Sequence, residues 1–138
     1  MMNIHASGED YLEAILVLQK KKGRVRSVDL ALHMGFSKPS ISHAVGLLKK
    51  EGLLTVDADG CLHLTNMGKD VAEKIYERHT VLTMLLTQLG VDAAIAAEDA
   101  CKIEHVISDT SFQALKAHAA QFSAHAEGAE DIGGTQHG

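Results

Sequence analysis

Two helical runs that meet at a glycine, followed at once by two alternating runs around an Asp/Gly turn, leave this 138-residue chain few folds to choose from. Ser27 caps the first run, in which Val28, Leu30, Ala31 and Met34 are the apolar positions. It stops at Gly35-Phe36-Ser37, a tight turn with Gly35 as a left-handed C-cap. The second run starts at Ser37 to Pro39, because proline is tolerated in a first helical turn, and continues to Glu51. Ile41, Val45 and Leu48 form its buried stripe, flanked by Leu47. After Gly52 come Leu53-Leu54-Thr55-Val56 and Cys61-Leu62-His63-Leu64, separated by Asp57-Ala58-Asp59-Gly60, which is a hairpin pattern. A helix-turn-helix followed directly by a hairpin is a winged helix.

The remaining runs are helical. Ser7 or Gly8 opens the first, with Glu9 and Asp10 in a first turn that favours anions and Leu12, Ile15 and Leu16 inward, up to Lys20-Lys21-Lys22-Gly23. Thr65-Asn66-Met67-Gly68 caps a long helix to Leu89, whose second half carries Val81, Leu82, Leu85, Leu86 and Leu89. That is more apolar surface than a small winged domain can cover, so a helical homodimer interface is expected. Gly90 breaks it, Val91-Asp92 starts the next helix to about Ser108, and Asp109 or Thr110 caps a last helix through Phe122 with Phe112 and Leu115 as anchors. From Ser123 the chain is Ala, Gly, Glu and His without periodicity, which reads as a disordered tail. The expected fold is mainly α, an N-terminal winged helix-turn-helix (1–68) followed by an all-helical dimerisation and metal-binding domain (69–122) and the tail (123–138).

Charge separates the two halves. Residues 1–75 hold 10 Lys and Arg against 9 Asp and Glu, whereas residues 76–138 hold 3 against 9. The net charge of −5 argues against indiscriminate nucleic-acid binding while leaving room for a local basic surface. No apolar run reaches membrane-span length and no leader precedes a cleavage site, so a cytoplasmic protein without membrane association is expected. In a reducing compartment Cys61 and Cys101 are ligand or core residues rather than a disulfide.

Two stretches carry chemistry. The polar side of the 37–51 run presents Ser37, Lys38, Pro39, Ser40, Ser42 and His43, short donors suited to base edges and phosphates in a major groove. Arg24, Arg26, Lys38, Lys49 and Lys50 supply phosphate contacts, and the wing another. The second stretch is Cys101-Lys102-Ile103-Glu104-His105. On a helix its Cys, Glu and His share a face, an S, O and N donor set for a divalent transition metal. Taken alone it fits a half-buried Cys beside a solvated Glu-His pair equally well. Asp10, Glu13 and His79 are the other candidate ligands, although carboxylates near a helix start are more often merely solvated and a lone histidine is more often a surface residue.

Glu9-Asp10-Tyr11-Leu12-Glu13, the helix-turn-helix and wing, Arg78-His79 and Ala100-Cys101-Lys102-Ile103-Glu104-His105-Val106-Ile107-Ser108-Asp109 together resemble the diphtheria-toxin-repressor family, which includes iron-dependent repressors and manganese transport regulators. The resemblance implies a homodimer that binds palindromic double-stranded operators when loaded with Fe(II) or Mn(II), Co(II) or Zn(II) being substitutes, and so represses metal-uptake genes. It implies the metal ligands Asp10, Glu13, His79, Cys101, Glu104 and His105, no enzymatic activity and no small organic ligand. It also implies the two-domain form, without the iron branch's SH3-like domain. Asp10 and Glu13 match the manganese branch, Cys101 matches the iron branch, and His79, Glu104 and His105 match both. Thr83 stands where the iron branch's ancillary site has Glu, and Ala97 lies near its second His. A thiolate favours softer ions than Mn(II), while two carboxylates pull the other way. The dispersed His118, His125 and His137 read as tail composition. The alternative is a winged-helix regulator answering a redox or other non-metal signal through Cys101.

Overall fold

A computed structural model describes the backbone over residues 6–133 and the side chains over residues 6–121. The chain forms two compact units that divide at Glu77/Arg78, within one helix. The reason is that Val71 and Ala72, in the first half of that helix, belong to the core of the winged unit.

The first unit holds α1 (Ala6–Lys22), α2 (Ser27–Met34), α3 (Lys38–Lys50), β1 (Leu54–Val56), β2 (Leu62–Leu64) and the start of α4 (Asn66–Gln88). Leu12, Ile15, Leu30, Ile41, Leu48, Leu53, Leu54 and Leu62 make its core. The strands are antiparallel, pairing Leu54 with Leu64 and Val56 with Leu62. A bridge between Arg26 and Cys61 ties the extended segment before α2 to the hairpin. Cys61 is buried there, a core residue rather than a ligand.

Local capping sets the helix-turn-helix. The backbone N–H of Arg26 donates to the Asp29 carboxylate at 2.9 Å. The N-cap of α2 is therefore Arg26, one residue before the expected Ser27. Gly35 has φ 70°, the left-handed conformation that ends α2. Ser37 caps α3 by accepting from the Ser40 N–H at 3.3 Å. Val28 and Leu47, read as packing residues, are each about half exposed.

Thr65 opens α4: its hydroxyl donates to the Gly52 carbonyl at 2.7 Å and accepts from the Gly68 N–H at 3.1 Å. This clamp seats α4 against the loop that leads into β1. At Gly68 a Cβ would stand 1.9 Å from the Leu53 carbonyl oxygen.

The second unit comprises the remainder of α4, α5 (Ala93–Ile103) and α6 (Asp109–Gly133). Leu82, Ala96, Ala100, Phe112 and Ala119 are buried in it. Two expectations need correction. First, α5 ends at Ile103 rather than near Ser108, because the N–H groups of Val106 and Ile107 both fold back onto the Ile103 carbonyl at 3.0 Å. Second, α6 continues to Gly133 where a tail from Ser123 was expected to be disordered. Alanine's high helix propensity sustains a helix without an apolar stripe. His137 and the side chain of His125 lie outside the described residues, whereas His118 is exposed on α6. No helix among the described residues is long and apolar enough to cross a membrane.

Gly→Ala inside a helix ordinarily stabilises by up to about 1 kcal/mol. Gly68→Ala is expected to do the opposite, by about 3 kcal/mol, because backbone must move to admit the methyl group. Urea unfolding reads the sign; an unchanged or raised midpoint would refute the close approach.

Candidate metal centre and nucleic-acid face

In the second unit, α4 and α5 bring donor atoms of His79, Cys101 and Glu104 within 4.8 Å of one another. His79 comes from α4, Cys101 from the last turn of α5, and Glu104 is the residue that caps α5. Glu104 keeps helical backbone angles at the cap (φ −58°, ψ −25°), so its i, i+3 relation to Cys101 survives the early end of the helix. His105 falls in the turn beyond and is not one of the three. Its Nε2 lies 3.6 Å from Glu104 Oε1.

Burial grades across the group. Cys101 is exposed and not in a disulfide, His79 is partly buried, and Glu104 is wholly buried. Neither carboxylate oxygen of Glu104 accepts a hydrogen bond from the described residues. The nearest imidazole atom on the other side is His79 Nδ1, 3.3 Å from Oε2. A carboxylate taken out of water without hydrogen bonds costs several kcal/mol unless a cation meets it. A thiolate, an imidazole and such a carboxylate suit a first-row divalent ion. The residues therefore fit the metal that the sequence implies.

Arg78, which the sequence offers only within the Arg78-His79 resemblance, is buried beside the end of α5. It is 6% exposed, with one guanidinium nitrogen donating to the carbonyls of Glu104 at 3.1 Å and Ile107 at 2.9 Å. The signal was available: Arg78 falls three residues after Ile75 and four before Leu82, on the apolar stripe of α4. A charge on a buried stripe needs a partner, and the open carbonyls at the end of α5 provide it.

Asp10 and Glu13 both lie on α1 in the first unit, each partly buried. The same unit carries all the sequence-predicted DNA contacts, and they are all exposed: Arg24, Arg26, Ser37, Lys38, Pro39, Ser40, Ser42, His43, Lys49 and Lys50. The N-terminal turn of α3 is thus polar, exposed and followed by basic residues, while Ile41, Val45 and Leu48 face inward. The wing is less simply basic than expected. Arg24 stands 3.6 Å from Asp59 at the wing tip. Asp57 accepts from the N–H groups of Asp59 and Cys61 at 2.9 Å and lies 2.8 Å from His63 Nε2. The His63 hydrogen bond, helped by that from Cys61, holds the Asp57 carboxyl at about 2. The turn is therefore fixed by its own acidic residue.

Comparison with known proteins gives two family regions in order along the chain. Residues 3–62 match the family described as "Iron dependent repressor, N-terminal DNA binding domain", and residues 65–132 match "Iron dependent repressor, metal binding and dimerisation domain". The transcriptional regulator MntR of Escherichia coli O157:H7 is 32% identical over 108 residues, which cover 78% of this chain and 70% of that protein. The diphtheria toxin repressor of Corynebacterium diphtheriae is 29% identical, over 79% of this chain and 49% of that protein. A manganese-dependent transcriptional repressor solved with manganese superposes with a TM-score of 0.73 at 27% identity, covering 82% of this chain and 52% of its own. The chain spans about half the length of the solved manganese regulators that it matches. Family members are transcriptional regulators, not enzymes. With both family regions matched in order and a relative above 30% identity over most of its length, this chain belongs to the iron-dependent repressor family of metal-dependent transcriptional regulators.

Proposed function

We propose that the protein is a metal-activated repressor that binds palindromic operator DNA as a homodimer and controls metal-uptake genes in the cytoplasm. The observation that carries this reading is the Glu104 carboxylate, buried and without hydrogen bonds from the described residues, beside His79 and Cys101. Its family setting and the exposed polar start of α3 supply the DNA-binding half.

His79, Cys101 and Glu104 are the proposed core of the ligand set. His105, Asp10 and Glu13 complete it by their match to family ligand positions. The bound ion supplies positive charge that binds these anionic and imidazole donors. Loading is the step proposed to set the α3 helices of a dimer for two half-sites. It also offsets the net charge of −5 and so favours approach to phosphate. The coupling is reciprocal, so DNA tightens metal binding by the same factor. An apolar groove lined by Leu82, Leu85, Leu86, Leu89, Ile103 and Leu115 supports pairing through the second unit.

Fe(II) or Mn(II) is the proposed activator, and Cys101 makes the choice between them. Its exposure also favours one other reading, a regulator switched by oxidation of the thiol. The discriminating test is binding of a selected palindromic duplex by metal-stripped protein, titrated separately with anaerobic Fe(II), Mn(II), Co(II) and Zn(II). The proposal expects binding only with metal. Binding that ignores chelator and responds to oxidant would establish the redox reading instead. Cys101→Ala is expected to abolish most of the metal response, and Cys101→Glu to move the ranking towards Mn(II). An unchanged ranking in the glutamate variant would show that Cys101 does not set selectivity.

A further inference from the structure

The geometry points to Arg78 as the positioning residue that keeps the Glu104 carboxylate open for a cation. This inference rests on the metal-centre reading above. A buried arginine one residue from a proposed ligand, in the same unit as a buried carboxylate, would be expected to pair with that carboxylate directly. It does not. Its Nη1 donates to the backbone carbonyls of Glu104 and Ile107, at 3.1 and 2.9 Å. Its Nη2 faces Asp109 at 3.6 Å, and its guanidinium carbon lies 5.4 Å from the centre of the Phe112 ring.

Three features follow from that arrangement. The guanidinium ties the cap residue of α5 to the turn that leads into α6, by taking the carbonyls of Glu104 and Ile107. It fixes the backbone of Glu104, and through it the place from which the carboxylate projects. It is also held away from that carboxylate by Asp109 and Phe112 of α6, so both Glu104 oxygens stay without a hydrogen bond from the described residues. Arg78 and His79 are adjacent on α4, so one turn supplies a metal donor and the anchor for the segment that carries two more. Only a planar fork with donors in fixed directions does all of this; a lysine carries the charge on a single nitrogen and cannot span the same partners.

The test compares Co(II) binding by the parent, Arg78→Lys and Arg78→Met, using full-length reduced protein and reading both affinity and the cobalt absorption bands, with helical content from circular dichroism. The expected result is a loss of affinity of roughly 10- to 100-fold in both variants, the range found when groups that hold ligands in place are removed. The bands should weaken or shift in Arg78→Lys while its helical content stays at the parent level. A purely structural arginine would alter stability and leave the cobalt spectrum of the folded variant as in the parent. Parent affinity and parent bands in both variants would overturn the role of Arg78. If Arg78→Met does not fold, Arg78→Lys alone decides by the same criteria. A parent that gives no cobalt bands rejects the metal centre itself, and this role with it.

Discussion

A carboxylate removed from water has to be met by positive charge, and in the second unit that requirement falls on Glu104. It is wholly buried, its oxygens accept no hydrogen bond from the described residues, and the nearby guanidinium is committed to backbone carbonyls. Two histidine side chains lie within 3.6 Å of the carboxylate and an exposed cysteine completes a mixed donor set. The proposed donors run from exposed Cys101 to buried Glu104, which would set a soft donor at the rim and a hard one at the floor. Its chemistry suits a sensor: donors of different softness discriminate among ions by their balance rather than by any one of them.

The winged unit meets a different constraint. Its core is built from short elements, so caps and turns decide its shape: Ser37 on α3, Gly35 after α2, and Thr65 between the β1 approach and α4. These leave the first turn of α3 exposed and polar. The acidic wing turn is satisfied internally through Asp57 and His63, which limits how much its carboxylates repel phosphate. Cations clustered in a nearly neutral first half, beside an acidic second half, suit local rather than general DNA contact.

Periodicity and capping chemistry made the helix-turn-helix and hairpin legible, since each rests on interactions between residues close in sequence. Cys101 and Glu104 were legible for the same reason. Three things were not. The turn after α5 is also held by Arg78, 26 residues before Glu104, a contact that the local pattern does not record. The reach of α6 depends on alanine propensity in a stretch whose lack of an apolar stripe reads as disorder. The unit boundary follows from which core claims Ala72, a matter of tertiary packing that periodicity does not record. Metal identity was left open by a hybrid ligand pattern. The resemblance named the donors, and the structure grouped three of them in one unit.

The central claim is that Cys101, His79 and Glu104 hold one metal ion together. X-ray absorption of the Zn(II)-loaded protein tests it most directly, because sulfur and nitrogen or oxygen scatterers separate by distance. The account predicts one sulfur at about 2.3 Å among nitrogen and oxygen neighbours near 2.0–2.2 Å, with the sulfur lost in Cys101→Ala. A shell of nitrogen and oxygen alone in the parent would contradict it.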